Sequence, residues 1–341
     1  MLQPDLGAQH LIPEVNRRTI LQAPLLAGAV WETALLAAEA ELTPLGDLPG
    51  ELRFGVMGDS GAGTRMQRRL AQRMTAWHAS HPWAFVAMLG DNIYENGEAA
   101  YFDSKFVNVY RDLLDQGVPF RAALGNHDVR SRGGREMVQE EAFGFVGRES
   151  EYEFMAGPVL PDGKRLARFI CLDTPAWVEA IEGRDDKKLA ALKASLKDRL
   201  NRCDQAVWNI FYFHHPIHAH TKGSFLFVPR GHGSTAVLQE FLEPEIREYA
   251  DLVLAGHDHF YQKIKPQHGV HHFVSGAAGK VRGGCDTTPE AVEFGAEAYH
   301  FMDFSVAKDV LYYQAIDEDG RRLHSGKILK RGAKRLVDIA A

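Results

Sequence analysis

From about residue 50 the chain alternates between short apolar runs and segments whose apolar residues recur at helical spacing. Six runs read as buried strands that end in polar turns. They are LRFGVMGDSG (52–61), AFVAMLGDN (84–92), FRAALGNHD (120–128), RFICLDT (168–174), WNIFYFHHP (208–216) and DLVLAGHDH (251–259). The helical pattern falls between them. Met66 to Ala79 carries Leu70, Met74 and Trp77 on one face, and Phe102 to Leu114 reads as a second helix. Asp185 to Arg202 spaces Leu189, Leu192, Leu196 and Leu200 helically, and Val237 to Tyr249 is a helix interrupted near Pro244. Further on the pattern changes. GVHHFVSGAAG, HFMDFSVAKDVLYYQAID and RLHSGKIL read as strands joined by turns, without helices between them. The expected architecture is α/β, a sandwich of two mixed sheets packed face to face and flanked by helices. No linker interrupts it, so one domain is expected from about 45 to 335.

The first 44 residues read differently. Asn16-Arg17-Arg18-Thr19-Ile20-Leu21-Gln22 precedes the apolar run APLLAGAVW, in the manner of a twin-arginine export signal, with Ala38-Glu39-Ala40 as a cleavage candidate. The expectation is a periplasmic or secreted protein. An amphipathic helix of a cytoplasmic protein is the alternative, because Glu32 interrupts the apolar stretch. That run is too short to cross a bilayer and no later one is long enough, so stable membrane insertion is not expected.

The chemistry lies at the strand ends. GDSG, GDNIY, GNHD, FHHP and GHDH present carboxylate, carboxamide, phenol and imidazole groups from separate strands. In α/β sheets the carboxyl ends of strands line the ligand crevice, so these groups are expected to converge. Asp59, Asp91, Asn126, His214, His257 and His259, with Tyr94 in reserve, are too many for one four-coordinate ion. They suit two ions about 3.5–4 Å apart, bridged by Asp91, a pair that clamps a phosphoryl group and acidifies a bound water. Glycines at 58, 90, 125 and 256 stand immediately before or beside these ligands, where the chain must turn sharply.

Composition trims the alternatives. A net charge of -6 and a pI near 6.2 argue against a nucleic-acid partner. Cys171, Cys203 and Cys285 are odd in number and show no CxxC spacing, so buried free thiols are expected. Sixteen histidines, several in clusters after apolar runs, favour metal.

The order Asp59, Asp91, Asn126-His127-Asp128, His214-His215-Pro216, His257-Asp258-His259 resembles the metallophosphoesterase superfamily over residues 52–264. Most members carry a His two residues after the first Asp, and this chain has Gly61. Asp-x-Gly together with Gly-Asp-x-x-Tyr resembles its purple acid phosphatase branch. The resemblance implies Fe(III) held by Asp59, Asp91, Tyr94 and His259. It implies a divalent ion (Fe, Zn or Mn) held by Asp91, Asn126, His214 and His257. The implied reaction is hydrolysis of small phosphomonoesters by a metal-bound hydroxide. A phosphodiesterase of the same superfamily and a non-catalytic metal-binding protein are the alternatives.

His127 then stands where the family's His contacts the phosphate and helps protonate the leaving group, with Asp128 orienting it. A second catalytic His is implied among His218, His220 and His232, with His232 preferred because Gly233 follows it. His215 is expected to face away from His214, by strand alternation. Arg130, Arg132 and Arg135 are candidates for binding phosphate or are plain loop arginines. Phe225, Leu226 and Phe227 are candidates for a substrate wall or for packing, and Ser275 to Lys280 reads as a structural turn.

Overall fold

The structure is a computed structural model that describes residues 52–222 and 231–331. The export-signal candidate and the Phe225–Phe227 wall lie outside the described residues. Strand β1 (Leu52–Met57) is followed by β2 (Val86–Met88), β3 (Phe120–Ala122), β4 (Tyr152–Val159), β5 (Arg165–Cys171), β6 (Ala206–Phe213) and β7 (Leu252–Ala255). Then come β8 (Tyr261–Gln267), β9 (Val270–Ser275), β10 (Val292–Ala296), β11 (His300–Val306), β12 (Val310–Asp317) and β13 (Arg322–Leu329). One six-stranded sheet runs β13-β12-β11-β1-β2-β3, and one seven-stranded sheet runs β10-β8-β9-β7-β6-β5-β4. Both are mixed. β1, β2 and β3 pair in parallel, as do β5, β6, β7 and β9, and antiparallel pairs complete each sheet.

The continuous apolar runs follow from burial on both faces. Along β5 and β6, Phe169, Cys171, Ile210 and Tyr212 enter the core between the sheets, while Ile170, Phe211 and Phe213 enter a second core under helices. Phe54 of β1 meets Phe169 of β5 edge-on at 4.9 Å between ring centroids, which locks one sheet onto the other. Truncating a fully buried Phe such as this one costs about 3–5 kcal/mol.

Helices cover the outer faces: α1 (Arg65–Ser80), α2 (Arg111–Asp115), α3 (Arg135–Gln139), α4 (Thr174–Glu182), α5 (Asp186–Leu200), α6 (Ala236–Phe241) and α7 (Glu243–Ile246). Thr64 caps α1 by accepting from the Gln67 N–H at 3.2 Å, and Leu70, Ala71 and Met74 form its buried stripe. The expected helix from Phe102 to Leu114 is broken instead into a π turn at Asp103–Val107 and the short α2. The expected interruption near Pro244 is the break between α6 and α7. Strands β4, β8 and β10 and helix α4 carry no signal strong enough to have been expected. All three cysteines are free and buried. Among the described residues no helix is long and apolar enough to cross a membrane.

Candidate metal centre

β1, β2, β3, β6 and β7 all end at the same rim, and each is followed within a few residues by candidate ligands. Asp59, Asp91 and His257 sit at φ of 55°, 50° and 71°, a left-handed backbone that non-glycine residues rarely adopt. Such strain persists only where the surroundings over-determine it, and it concentrates at functional sites. Here it bends each side chain inward off its strand.

One half of the centre is anionic. The Tyr94 hydroxyl donates to Asp59 Oδ1 at 2.9 Å and lies 2.9 Å from His259 Nε2. His259 Nε2 in turn is 3.3 Å from Asp59 Oδ1, and the His257 N–H donates to Asp59 Oδ2 at 2.7 Å. Gly61 shows why Tyr94 can stand there. A Cβ at 61 would come within 2.0 Å of the Asn92 carbonyl oxygen. The loop carrying Tyr94 therefore occupies the space that any side chain at 61 needs, and the Tyr94 N–H donates to the Gly61 carbonyl at 3.0 Å.

The other half is imidazole-rich. His214 Nε2 lies 2.9 Å from Asn126 Oδ1, 3.0 Å from His257 Nδ1 and 3.5 Å from Asp91 Oδ1. His214 Nδ1 is 2.9 Å from the Leu89 carbonyl, which can only accept, so Nδ1 holds the proton and Nε2 turns a lone pair inward. Gly125 leaves room for the shared carboxylate, since a Cβ there would lie 2.2 Å from Asp91 Oδ1. Oxygens of Asp59 and Asp91 and a nitrogen of His214 come within 4.8 Å of one another, so Asp91 stands between the halves.

The donor set fits cations. Asp59 and Asp91 are 0% and 2% exposed, and among the described residues no lysine or arginine forms an ion pair with either. Buried carboxylates without a counter-charge are costly. Burial pushes both carboxyls well above the usual range, and for Asp91 the charges of Asp59 and Asp128 add to it. Tyr94 is raised well above 10 by burial and then by the same two carboxylates. His214 and His257 are driven well below 6.5, chiefly by burial, and His259 down to about 4. Neutral imidazoles are the form a metal requires.

His127 lies at the edge of the centre. Its Nδ1 is 2.6 Å from the Glu95 carbonyl, its Nε2 is 3.9 Å from Asp91 Oδ2, and its ring meets Tyr94 edge-on at 4.6 Å. The carbonyl, not Asp128, therefore orients the ring. The expected role of Asp128 is corrected. It is fully buried and accepts from the N–H groups of Asn92, Ile93 and Gly125 and from the Asn92 amide at 2.8–3.1 Å. It staples the Asp91 loop to the Asn126 loop, and burial pushes its carboxyl up to about 7.

Among the three histidines considered for the second role, His232 is the one at the site. Its ring lies tilted against that of His257, with centroids 4.1 Å apart, and Asp258 accepts the His232 and Gly233 N–H groups at 2.6 and 2.9 Å. His218 points to Glu243, with Nε2 to Oε1 at 2.7 Å, and the His220 N–H donates to Gln262. His215 does not turn away from His214 as alternation suggests. β6 ends at Phe213, so the rule lapses, and His215 packs 4.6 Å from the His257 ring with Thr174 at its Nδ1.

Two neighbours carried no sequence signal. Lys280 holds its ammonium 3.6 Å over the Tyr94 ring and pairs with Glu95 at 2.9 Å, so the turn at 275–280 is more than structural. Asp258 fixes the backbone of His232, although only its flanking histidines stood out in the sequence. Of the arginines, Arg130 shares the Glu95 carbonyl with His127 at 3.3 Å, while Arg132 pairs with Glu136. Arg132 and Arg135 line a cavity of about 1330 Å³ with Val129, Asp173 and Lys188, and no candidate ligand lines it.

The sequence model of the family described as calcineurin-like phosphoesterase matches residues 52–261. Purple acid phosphatase 4 of Arabidopsis thaliana is 28% identical over 310 residues, covering 84% of this chain and 87% of that protein. Among solved structures, GAP50, described as the anchor in the inner membrane complex of Plasmodium, aligns with a TM-score of 0.68 at 19% identity. That alignment covers 83% of this chain and 90% of that one. The purple acid phosphatase PPD1 of yellow lupin aligns with a TM-score of 0.56 at 18% identity, over 83% of this chain and 55% of its own. A dimetal phosphatase of Danio rerio aligns with a TM-score of 0.56 at 15% identity, over 82% of this chain and 99% of its own.

Proposed function

The chain belongs to the calcineurin-like phosphoesterase family, a hydrolase of phosphoric ester bonds, and from that premise we propose that it is a purple acid phosphatase-like monoesterase with a ferric–divalent pair. One observation carries the branch assignment. The Tyr94 hydroxyl stands 2.9 Å from both Asp59 Oδ1 and His259 Nε2, on a loop whose Asn92–Ile93 backbone packs against the bare Gly61. A phenol so placed is a hard anionic donor once deprotonated, and a hard, highly charged ion favours it.

In this reading Asp59, Asp91, Tyr94 and His259 hold Fe(III), and Asp91, Asn126, His214 and His257 hold Fe, Zn or Mn as the divalent ion. The pair supplies Lewis-acid charge for the phosphoryl oxygens and lowers the pKa of water. The chain supplies the rest. His127, its Nδ1 proton on the Glu95 carbonyl, presents Nε2 toward the leaving-group side and donates a proton there. His232, its backbone clamped by Asp258, stands on the opposite flank beside His257 and is the second proton-handling group. Arg130 at the rim offers a guanidinium to the phosphate. The Arg17-Arg18 segment adds export to the proposal, in keeping with a compartment that leaves iron ferric.

The test is metal analysis with a visible spectrum, followed by rates on a phosphomonoester and a phosphodiester. The expected result is a coloured protein with at least two metals per chain, one of them iron, that prefers the monoester. A colourless, iron-free protein active with another metal pair removes the ferric branch. A preference for the diester removes the monoesterase reading.

A further inference from the structure

A second cluster of metal-binding side chains lies apart from these ligands. His218, from the segment after β6, Glu243, the first residue of α7, and His272 of β9 bring one ligand atom each within 4.8 Å of one another. We propose that His218, Glu243 and His272 bind a third metal, a zinc ion that pins the helical layer and the segment after His214 to the sheet.

The donor set is the first argument. Two imidazoles and one carboxylate form a zinc set with a fourth position left for water. Tetrahedral ligands at ordinary zinc distances sit about 3.3 Å apart, so the three groups need only small shifts. His218 Nε2 is already 2.7 Å from Glu243 Oε1, and its ring meets that of His272 at 4.8 Å. The other nitrogen of His218 lies 3.2 Å from the Gln239 amide nitrogen. Rotating that amide places its carbonyl to accept the Nδ1 proton, and Nε2 is then free to ligate. This is the outer support that zinc-bound histidines regularly have.

His272 is the second, independent argument. It is 3% exposed, and its ring meets that of His218 edge-on, so the two imidazoles face each other away from bulk water beside the Glu243 carboxylate. Strand alternation sends it to the helix side. Its even-numbered neighbour Val270 lies in the core under the helices, whereas Phe273 lies in the core between the sheets. His271 and the Lys263 ammonium approach each other at 3.4 Å on the Phe273 side. The sheet therefore stands between that cation and the proposed ion.

The inference does not depend on the ferric assignment, and its test separates the two. The full chain with Asp91→Ala, which removes the shared ligand of the dinuclear centre, is equilibrated with Zn²⁺, dialysed and analysed for metal. About one zinc per chain is expected to remain, and to disappear when Glu243→Gln or His272→Gln is added. Gln at 243 can still accept from His218, so the fold keeps its contact. Should a double variant not fold, the single Glu243→Gln variant decides. Zinc raises the melting midpoint of the otherwise wild-type chain by more than that of Glu243→Gln. Absence of zinc in Asp91→Ala, or equal zinc and equal melting shifts with Glu243→Gln, overturns the third site. Failure of the dinuclear reading looks different: Asp91→Ala would then keep the metal content and activity of the wild type.

Discussion

The two halves of the candidate metal centre hold their donor groups neutral by opposite routes. Around Tyr94 the groups are acids, and burial raises Asp59, Asp91 and the phenol so that each prefers its proton. Around His214 the groups are bases, and the same burial lowers His214 and His257 so that each prefers to be without one. One physical cause thus prepares two kinds of donor. The first half becomes strongly anionic when a cation displaces its protons, and the second offers neutral lone pairs at once. Hard oxygen anions suit a trivalent ion and imidazoles suit a divalent one, so the asymmetry of the ligands argues for an asymmetric pair.

The carboxylate between the halves gives the largest expected effect. Asp91→Ala removes the oxygen that lies 3.5 Å from His214 Nε2 and accepts the His127 backbone N–H at 2.9 Å. Loss of both ions is expected on metal analysis. Metal charge contributes several kcal/mol of transition-state stabilisation, so phosphatase activity should fall about 10³–10⁴-fold. A variant that keeps iron would show that the halves bind independently and would break the shared-ligand picture.

His127 tests which flank carries proton donation. His127→Gln keeps a donor for the Glu95 carbonyl but cannot supply a proton. The expected loss in kcat is about 10²-fold on an alkyl phosphate and distinctly less on an aryl phosphate with an acidic leaving group. An equal loss on both esters would make His127 a positioning group and shift the acid role to His232.

These contrasts bear on what was legible beforehand. The convergence of the candidate ligands was readable because each follows an apolar run and a sharp turn, so only the strand-end rule was needed. The fold was readable for the same reason, since runs such as those of β5 and β6 are apolar at successive positions only when both faces are covered. What resisted reading depends on contacts between distant segments. Asp128 adjoins His127 in sequence, yet its hydrogen bonds go to residues 92, 93 and 125. Asp258 serves His232, and Lys280 covers Tyr94, across separations that no local pattern records. His215 escaped because alternation stops where the strand does.

The base-like half also implies a sign for acid stability, and His300 reports it without touching a ligand. It is fully buried between Ser275 Oγ and the Ala298 carbonyl, each at 2.9 Å, and burial takes its pKa down to about 4. The unfolded chain binds this proton near pH 6.5 and the folded chain only near 4. Below 6.5 the unfolded state therefore holds more protons, and stability falls as pH drops through that window. The contribution is on the order of 2–3 kcal/mol once pH 4 is reached. Denaturant unfolding of the metal-free chain should show that slope, and His300→Gln should flatten it. An unchanged slope would assign the acid sensitivity to the other buried histidines, such as His214, His215, His257 and His272.

The smallest expected change in rate comes from the residue that most distinguishes the halves. Tyr94→Phe removes one oxygen from the acid half and leaves the ring, which still packs against His127 and under the Lys280 ammonium. Asp59, Asp91 and His259 remain as donors, and the imidazole half is untouched. Activity should therefore stay within about tenfold of the wild type, since the two-ion clamp persists. In the proposed ferric reading the visible band should vanish, because there the Tyr94 phenolate on Fe(III) supplies it. The two readouts must separate for the asymmetry to hold. If the band survives in Tyr94→Phe, the phenol is only packing and Gly61 is bare merely to admit the Asn92 loop. If rate and band fall together, the acid half depends on the phenolate to keep its ion, and the ferric side is the weaker of the two.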